Sequence, residues 1–486
     1  MSKTPFVRLV DDQSEEAAIK NVASTTDGVV GEWLHGSVCT GYQRFRMSGV
    51  CARPYLPVLE QLKLEVARDN VDDLQVCAYA SGHKVLDVMV RNHSVASAYT
   101  RSTVQAVMSV SKVIEAFVIA RLVDQKKLRY DTKVAELWPE FGCNGKEDTT
   151  IAMVMRFESG LPDIPGLAAA DLTTAAIKAG VVSAKIEPLK PVHPPGEKRH
   201  YGFTARGILV NEIVRRADPQ KRTLAEIIAQ DIATPLGLER ELSLGLPLER
   251  QDEAVVVGCY KGAWHLCCVG CCCRGSFEPM EAGCCGLRGR AGVAAYRCTV
   301  CACTPCLVPF FACKSEQLLD ACNGPAFWAQ ESPSGNVHAN ARALARVGAA
   351  VLGEVDGTRL LSAEAVREGL YAGQVAKKMT AFMSGMEIPG QGDEGTWGNM
   401  GLFHFKDDGD GDKNEVGERG DMHGWRGFGG SALTIHAEKQ VSVALAVSFY
   451  NFLDQSNGMS RRIGNAVLAC HAAAGTGAKP MAMERK

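Results

Sequence analysis

Two short runs near the start of the chain, Leu74–Ala80 and Lys84–Val90, are rich in the residues that favour β-strands. Between them, Ser81–Gly82–His83 is typical of a tight turn. The pattern therefore predicts a β-hairpin that begins a sheet. The first sixty or so residues lack sustained periodicity and are expected to form an extension or an irregular cap.

From Ser109 onwards apolar residues recur at intervals of three and four, at Val110, Val113, Ile114, Phe117, Val118 and Leu122. This spacing is typical of a helix with one buried face. Helical patterns continue through much of the middle of the chain, in residues 132–138, 205–217, 223–238 and 334–355. Ser362 is a suitable cap for a further helix. The middle of the chain is thus predicted to be mostly helical.

Strand patterns return near the end of the chain, in residues 431–437 and 440–448 around Glu438–Lys439. A last helix is expected around residues 461–474. Strands at both ends that enclose a helical middle predict one sheet assembled from distant parts of the chain, with an all-helical lobe inserted. The fold class is therefore α/β, in its α+β form.

Composition narrows the functional classes. The 486 residues are 46% apolar, enough for a large core in two or three lobes, and the formal charge is only −2. The balanced charge argues against a nucleic-acid partner. No apolar run is long enough to span a bilayer, and the N-terminal sequence turns acidic, unlike a signal or transit segment. We therefore expect a cytoplasmic protein without a membrane span.

Cysteine is unevenly distributed, because 14 of the 19 cysteines fall between Cys259 and Cys322. Cys298–Cys301 and Cys303–Cys306 have zinc-knuckle spacing, whereas the neighbouring Cys-Cys and Cys-Cys-Cys runs do not. We interpret residues 259–322 as a poorly structured insertion, with a zinc or redox module as the alternative. The five remaining cysteines are expected to be reduced thiols: Cys39, Cys51, Cys77, Cys143 and Cys470.

Ser109 and Lys112 form a Ser-x-x-Lys motif at the predicted start of a helix. Three residues make about one helical turn, so the lysine would lie beside the serine on one face. A buried lysine loses its proton more readily and could activate the hydroxyl, and the helix N-terminus favours developing negative charge. The alternative is an ordinary helix cap with a solvated lysine. Ser81 and Lys84 match the same motif, but in a turn.

Later segments give the Ser109 motif its context. Phe157–Pro162 reads FESGLP, Tyr201 follows the Pro195–Gly196 turn, Thr234–Leu238 reads TPLGL, and Met422–Ala437 contains WRGFGG before a strand. In this order, from about residue 60 to 475, the chain resembles the serine beta-lactamase-like family. The closest branch is similar to class C-type esterases and related beta-lactamase-domain proteins.

The resemblance implies roles for particular residues. Ser109 would be the acylated nucleophile, Lys112 its activating partner, and Tyr201 the group that passes a proton to the leaving atom and later takes one from water. Tyr201 could act as a base only if its pKa were lowered. Trp425 and Gly427 would line the cleft, and the backbone N–H of Phe428 would join that of Ser109 in an oxyanion hole. No cofactor or metal is implied.

Two departures from the family pattern affect the expected substrate. Family members usually carry Tyr-x-Asn, and here Phe203 takes the place of the asparagine. Trp425 stands where many members have the lysine that holds a beta-lactam carboxylate, and the directions of His423 and Arg426 are open. Small-molecule esters or amides are therefore expected in preference to beta-lactams.

The sequence thus predicts a serine hydrolase with an N-terminal segment 1–60, a catalytic domain 61–475 and a tail 476–486. Within the domain, residues 61–108 and 395–475 would form the sheet lobe and residues 109–394 the helical lobe. Two alternatives stay open: an inactive relative that acts as a binding or scaffold protein, and a zinc or thiol protein organised by residues 259–322. The natural substrate and the oligomeric state are also open.

Overall fold

The computed structural model describes residues 7–8, 31–37, 41–69, 73–92, 99–254, 258–259, 323–381, 396–405, 422–427, 429–450 and 458–475. Its centre is a nine-stranded antiparallel sheet. The strands are β1 (Val7–Arg8), β2 (Gly31–Ser37), β3 (Gly41–Cys51), β4 (Asp73–Ala80), β5 (His83–Asn92), β6 (Phe403–Phe405), β7 (Met422–Arg426), β8 (Ala432–His436) and β9 (Val441–Val447).

The order of strands across the sheet is β1-β2-β3-β5-β4-β9-β8-β7-β6. The N-terminal and C-terminal parts of the chain meet where β4 pairs with β9. The predicted hairpin joins β4 to β5, and the left-handed backbone of Ser81 (φ 48°) and Gly82 (φ 79°) makes its turn. The sheet also includes three strands from the first sixty residues, where the sequence shows no sustained periodicity. The proposed domain boundaries stay a prediction.

Twelve α-helices are present in the described ranges. They are α1 (Leu56–Asp69), α2 (Ser111–Asp124), α3 (Val134–Leu137), α4 (Ile151–Met155), α5 (Thr174–Lys178), α6 (Val181–Ile186), α7 (Ala205–Ala217), α8 (Leu224–Ile227), α9 (Pro325–Trp328), α10 (Ala341–Leu352), α11 (Ala363–Tyr371) and α12 (Gly458–Gly475). None of them combines the length and the apolar character needed to cross a membrane.

The sheet is buried on both faces, as strand β4 shows. Val76 and Ala78 pack in a core shared with α1 and α12, whereas Cys77 and Tyr79 point into the larger core of the helical lobe. The alternating side chains of a strand serve both cores because successive residues point to opposite faces. This arrangement confirms the predicted α+β fold, with a sheet built from both parts of the chain and helices on its faces.

Helix α2 runs through the middle of the helical lobe. Twelve of its fourteen residues are buried, so the helix is covered on all sides rather than on the single face that the apolar spacing predicted. A helix that is apolar around most of its circumference must lie inside a protein. The side chains at its start are therefore shielded from water.

Smaller strand pairs lie around α2. Val337–Ala339 pairs with Gln105–Ala106 and with Leu242–Leu244, and Arg199–Tyr201 pairs in parallel with Met379–Ala381. Val375–Ala376 pairs with Thr396–Trp397, and the backbone of Gly258–Cys259 pairs with Phe449–Tyr450.

Two helical predictions were wrong in part. Residues 334–355 begin with strand Val337–Ala339, and the side chain of Asn340 then caps α10 by accepting the backbone N–H of Ala343 at 2.8 Å. Residues 223–238 form α8, then a π-helical segment (Ile228–Ala233) and a 3₁₀ turn (Thr234–Leu236). Gly237 ends this segment with φ 63°. The predicted cap at Ser362 is confirmed.

Candidate active site

Ser109 lies in a single 3₁₀ turn, Met108–Val110, immediately before α2. Met108 adopts a left-handed backbone conformation with φ 49°. The neighbouring Ser111 hydroxyl donates to the carbonyl of Met108 at 2.5 Å and accepts the backbone N–H of Val337 at 3.0 Å. Ser111 therefore fixes the turn, and the hydroxyl of Ser109 contacts other side chains instead of capping the helix.

The structure brings Ser109, Lys112 and Tyr201 together. The Ser109 Oγ lies 2.8 Å from the Tyr201 hydroxyl, and the Lys112 Nζ lies 3.2 Å from the same Oγ. Ser109 is 3% exposed and Lys112 is fully buried. The alternative of a helix cap with a solvated lysine therefore does not describe this site.

Within the described residues, the hydrogen-bond partners of the Lys112 amine are neutral oxygen atoms. Besides Ser109, its Nζ donates to the carbonyl of Phe203 at 3.1 Å and to that of Ser334 at 2.8 Å. Burial lowers the pKa of Lys112 from 10.5 to about 7; Glu115 opposes this shift and Arg206 adds to it. A neutral amine has two N–H groups, which suffice for the two carbonyls, and its lone pair then faces the Ser109 hydroxyl.

Tyr201 holds its proton at neutral pH. Burial raises the pKa of its phenol to about 12, although the hydrogen bond to Ser109 and the charge of Arg206 oppose the shift. The phenol ring lies 5.2 Å from the ring of Phe157 and stacks at 6.2 Å on that of Trp425. A lowered pKa was the condition for Tyr201 to act as a base, and this environment shifts the pKa the other way.

A buried ion pair between α2 and α7 lies next to the site. Arg206 on α7 places its Nε 3.1 Å from the Oε2 of Glu115 on α2, with both side chains 1% exposed. The same guanidinium donates to the carbonyl of Lys112 at 2.7 Å and to that of Gly401 at 3.0 Å. Because its contacts reach α2 and the segment before β6, Arg206 fixes the backbone that carries Lys112.

The sequence reasoning missed this ion pair. Glu115 lies three residues after Lys112, on the same face of a helix whose other residues there are apolar. Arg206 is a charged residue in the first turn of α7, next to the apolar run Ile208–Val210. A buried charge needs an opposite charge, so a charged residue next to an apolar stretch in each helix is the signal that would have indicated the pair.

Trp425 is packed beside the site rather than open to solvent. It is 2% exposed, and its ring contacts those of Phe157, Tyr201, Trp397 and Phe403. The guanidinium carbon of the next residue, Arg426, lies 4.0 Å from the ring centroid of Phe405. Direct contact of Trp425 with a substrate stays a prediction.

Gly427 brings the end of β7 against the turn of Ser109. Its N–H donates to the carbonyl of Ser431 at 2.7 Å. A Cβ at this position would lie 2.6 Å from the carbonyl oxygen of Val107, so only glycine allows this approach. Phe428, the predicted second oxyanion donor, lies outside the described residues.

Phe203, which replaces the family's asparagine, contributes its backbone rather than its side chain to hydrogen bonding. Its carbonyl is one of the two that accept from Lys112. The centroid of its ring lies 5.6 Å from the Lys112 Nζ, where the face of an aromatic ring favours a cation. An apolar ring thus occupies the position where an amide would offer polar atoms.

The described residues contain no group of three or more His, Cys, Asp or Glu that could hold a metal ion. Residues 260–322, where all but one of the clustered cysteines lie, are outside the described part of the chain. Cys51, Cys77, Cys143 and Cys470 carry free thiols, and the first, second and fourth are buried. Cys39 lies outside the described residues.

Comparison with known proteins identifies the family. The beta-lactamase family model matches residues 63–466, and the chain therefore belongs to that family. The chain is 28% identical over 263 residues to the esterase/beta-lactamase LipL of Mycobacterium tuberculosis. That match covers 54% of this chain and 54% of LipL, so the chain spans about half the length of this relative.

Two solved structures show the same fold. A family VIII carboxylesterase is 20% identical with a TM-score of 0.64. A penicillin-binding protein homologue from Caulobacter crescentus is 23% identical with a TM-score of 0.61. Each comparison covers 87% of this chain and 99% of the other. These similarities confirm the predicted beta-lactamase-like fold.

Proposed function

We propose that the protein is a serine hydrolase that cleaves esters or small amides through an acyl-enzyme on Ser109. The observation that carries this proposal is the contact of the Ser109 hydroxyl with both a buried lysine and a partly buried tyrosine. Membership of the beta-lactamase family and the similarity to LipL support it. A cytoplasmic location is part of the proposal.

In the first step, the Ser109 Oγ attacks the carbonyl carbon of the substrate while its proton moves to the neutral amine of Lys112. The pKa of Lys112, lowered by burial to about 7, makes this amine available at neutral pH. The oxyanion that forms would be held by the backbone N–H of Ser109 and, as the family resemblance implies, that of Phe428.

Collapse of the tetrahedral intermediate breaks the bond to the leaving group. The phenol of Tyr201 gives its proton to the departing oxygen or nitrogen and regains one from the Lys112 ammonium, so that the amine is neutral again. Water then attacks the acyl group, and the same relay runs in reverse to release the acid and restore the Ser109 hydroxyl. Tyr201 acts as a relay, which agrees with a phenol whose pKa is raised to about 12.

The surroundings of Ser109 favour an uncharged substrate. The ring of Trp425 stands where many family members have a lysine, and it is buried among aromatic side chains. Arg426 packs on Phe405. The apolar ring of Phe203 lies near Lys112. We therefore propose apolar esters or small amides rather than carboxylate-bearing beta-lactams.

Labelling with a fluorophosphonate and hydrolysis of a p-nitrophenyl ester test the proposal. Wild-type protein should react covalently at Ser109, and Ser109→Ala should lose both activities. Ser81→Gly is the matched control, because glycine suits the left-handed backbone of that position (φ 48°) and the other Ser-x-x-Lys motif is thereby removed. Equal activity in wild type and Ser109→Ala would refute the proposal, and an unreactive wild type would favour a binding role.

A further inference from the structure

Glu158, in the FESGLP segment, is a buried acid that the proposed chemistry does not use. Its side chain is 1% exposed and lies against three cations. One carboxylate oxygen is 2.8 Å from the Nη2 of Arg199, and the other is 3.2 Å from the Nε of Arg156 and 3.8 Å from the Nζ of Lys377. One negative charge therefore holds together three positive charges in a largely buried cluster.

The three cations belong to the segments that surround Tyr201. Arg199 begins the strand Arg199–Tyr201, and Lys377 lies just before the parallel strand Met379–Ala381, whose last residue pairs with Tyr201. Arg156 precedes Phe157, whose carbonyl accepts the backbone N–H of His200 at 3.0 Å. Glu158 thus pairs with a cation from each of the three segments.

Arg199 reinforces these connections through its own hydrogen bonds. Its guanidinium donates to the carbonyl of Arg156 at 3.1 Å, of Val375 at 3.0 Å and of Lys377 at 3.0 Å. The guanidinium also lies 4.6 Å from the ring centroid of Trp397. Its orientation therefore determines the spacing between the Tyr201 strand and the segments on both sides.

We propose that Glu158 is a positioning residue, which holds the Tyr201 phenol in reach of the Ser109 hydroxyl by balancing the charges of Arg156, Arg199 and Lys377. The inference rests on the proposed function, since it assigns a residue that acts through the proton relay. Without the carboxylate, three like charges would repel one another in a site of low dielectric, and the arginines cannot lose their protons. A displacement of about 1 Å in a reacting group can lower a rate about 10²-fold.

Glu212, in the second half of α7, provides a matched control. This carboxylate is also buried and accepts from two arginines, with the Nη2 of Arg215 at 2.7 Å and Arg216 as the second partner. It also accepts the Ser183 hydroxyl at 2.6 Å. Glu212→Gln therefore removes a buried, arginine-paired charge whose partners in the described part of the chain are Ser183, Arg215 and Arg216, away from the Tyr201 strand.

The test measures kcat and KM for a p-nitrophenyl ester in full-length Glu158→Gln, Glu212→Gln, Tyr201→Phe and the double variant Glu158→Gln/Tyr201→Phe. Glu158→Gln should lower kcat by about 10- to 100-fold and leave KM within about threefold, whereas Glu212→Gln should keep kcat within about threefold. The double variant should be no slower than Tyr201→Phe alone, because Glu158 acts through the phenol.

A second double variant distinguishes a loss of kcat caused by the unbalanced charge from one caused by poor folding of Glu158→Gln. Glu158→Gln/Lys377→Met restores the net charge of the cluster and should recover at least about tenfold of the lost kcat. The inference would be overturned by equal losses of kcat in Glu158→Gln and Glu212→Gln, by losses of kcat that add to that of Tyr201→Phe, or by no recovery of kcat when Lys377 is removed. In each of these cases the activity of the wild type would still uphold the proposed function. An inactive wild type would overturn both.

Discussion

The chain contains two Ser-x-x-Lys motifs with different surroundings. Ser81 lies in the exposed turn between β4 and β5, and the Nζ of Lys84 pairs with the Oδ2 of Asp87 at 3.2 Å, its side chain 20% exposed. Ser109 and Lys112 lie at the start of a buried helix, and Lys112 contacts three neutral oxygens. Identical spacing thus gives an ion pair in one place and a buried lysine beside a hydroxyl in the other.

A third lysine, also buried, has a different set of hydrogen-bond partners. Lys146 is fully buried, but its Nζ donates to the backbone carbonyls of Cys143, Glu187 and Leu189. Three carbonyls can only accept, so they match the three N–H donors of an ammonium group. Around Lys112 the third oxygen is a hydroxyl, which can also donate, and a neutral amine is thereby accommodated.

Replacing the two motif lysines should give the largest contrast. Lys112→Met removes the proposed base and should lower kcat/KM for a p-nitrophenyl ester by about 10²- to 10⁴-fold. Lys84→Met removes only a partly exposed ion pair and should leave kcat/KM within about twofold. Steady-state kinetics, with circular dichroism to confirm folding, measures both. Comparable losses in the two variants would contradict the distinction between the motifs.

Glycines beside the two motifs should separate catalysis from stability. In Gly427→Ala the new Cβ would lie 2.6 Å from the Val107 carbonyl oxygen and push β7 away from the Ser109 turn. We therefore expect kcat to fall about 10²-fold. In Gly82→Ala (φ 79°) we expect about 1–3 kcal/mol to be lost from the free energy of unfolding, with the activity of folded protein unchanged. Denaturant melts and specific activities measure the two effects. A stable, fully active Gly427→Ala would show that β7 does not shape the site.

Lys112 should also give the reaction a pH dependence. In the proposed mechanism the neutral amine is the active form. Because its pKa is lowered to about 7, kcat/KM should fall about tenfold per pH unit below that value and level off above it. An ordinary lysine would place this change near 10.5. A pH profile with no change near 7 would contradict the neutral-amine mechanism.

The same shift predicts a pH dependence of stability. Between about pH 7 and 10.5 the unfolded chain keeps the Lys112 proton that the folded protein has released, so the free energy of unfolding should rise with pH in that window. Denaturant melts of wild type and Lys112→Met should show this rise only in the wild type. An equal rise in both proteins would assign it to other groups.

Local patterns were sufficient for much of the fold. The hairpin of β4 and β5, the strands β8 and β9, helix α7 and the cap at Ser362 depend on neighbours a few residues apart, and the structure has them where the sequence predicts them. Residues 334–355 were harder, because the strand Val337–Ala339 forms only where distant strands offer pairing partners. Tertiary context decides such short segments.

The sequence by itself determined that Ser109 and Lys112 share one helical turn, because that spacing is a local property of the chain. Only the tertiary structure decided that Tyr201, 92 residues away, reaches Ser109, and that two carbonyls and the Arg206–Glu115 pair surround the lysine. The directions of Trp425 and Arg426 were likewise set by packing. The physical reason is that reactivity depends on burial and on contacts between distant segments, which spacing along the chain does not specify.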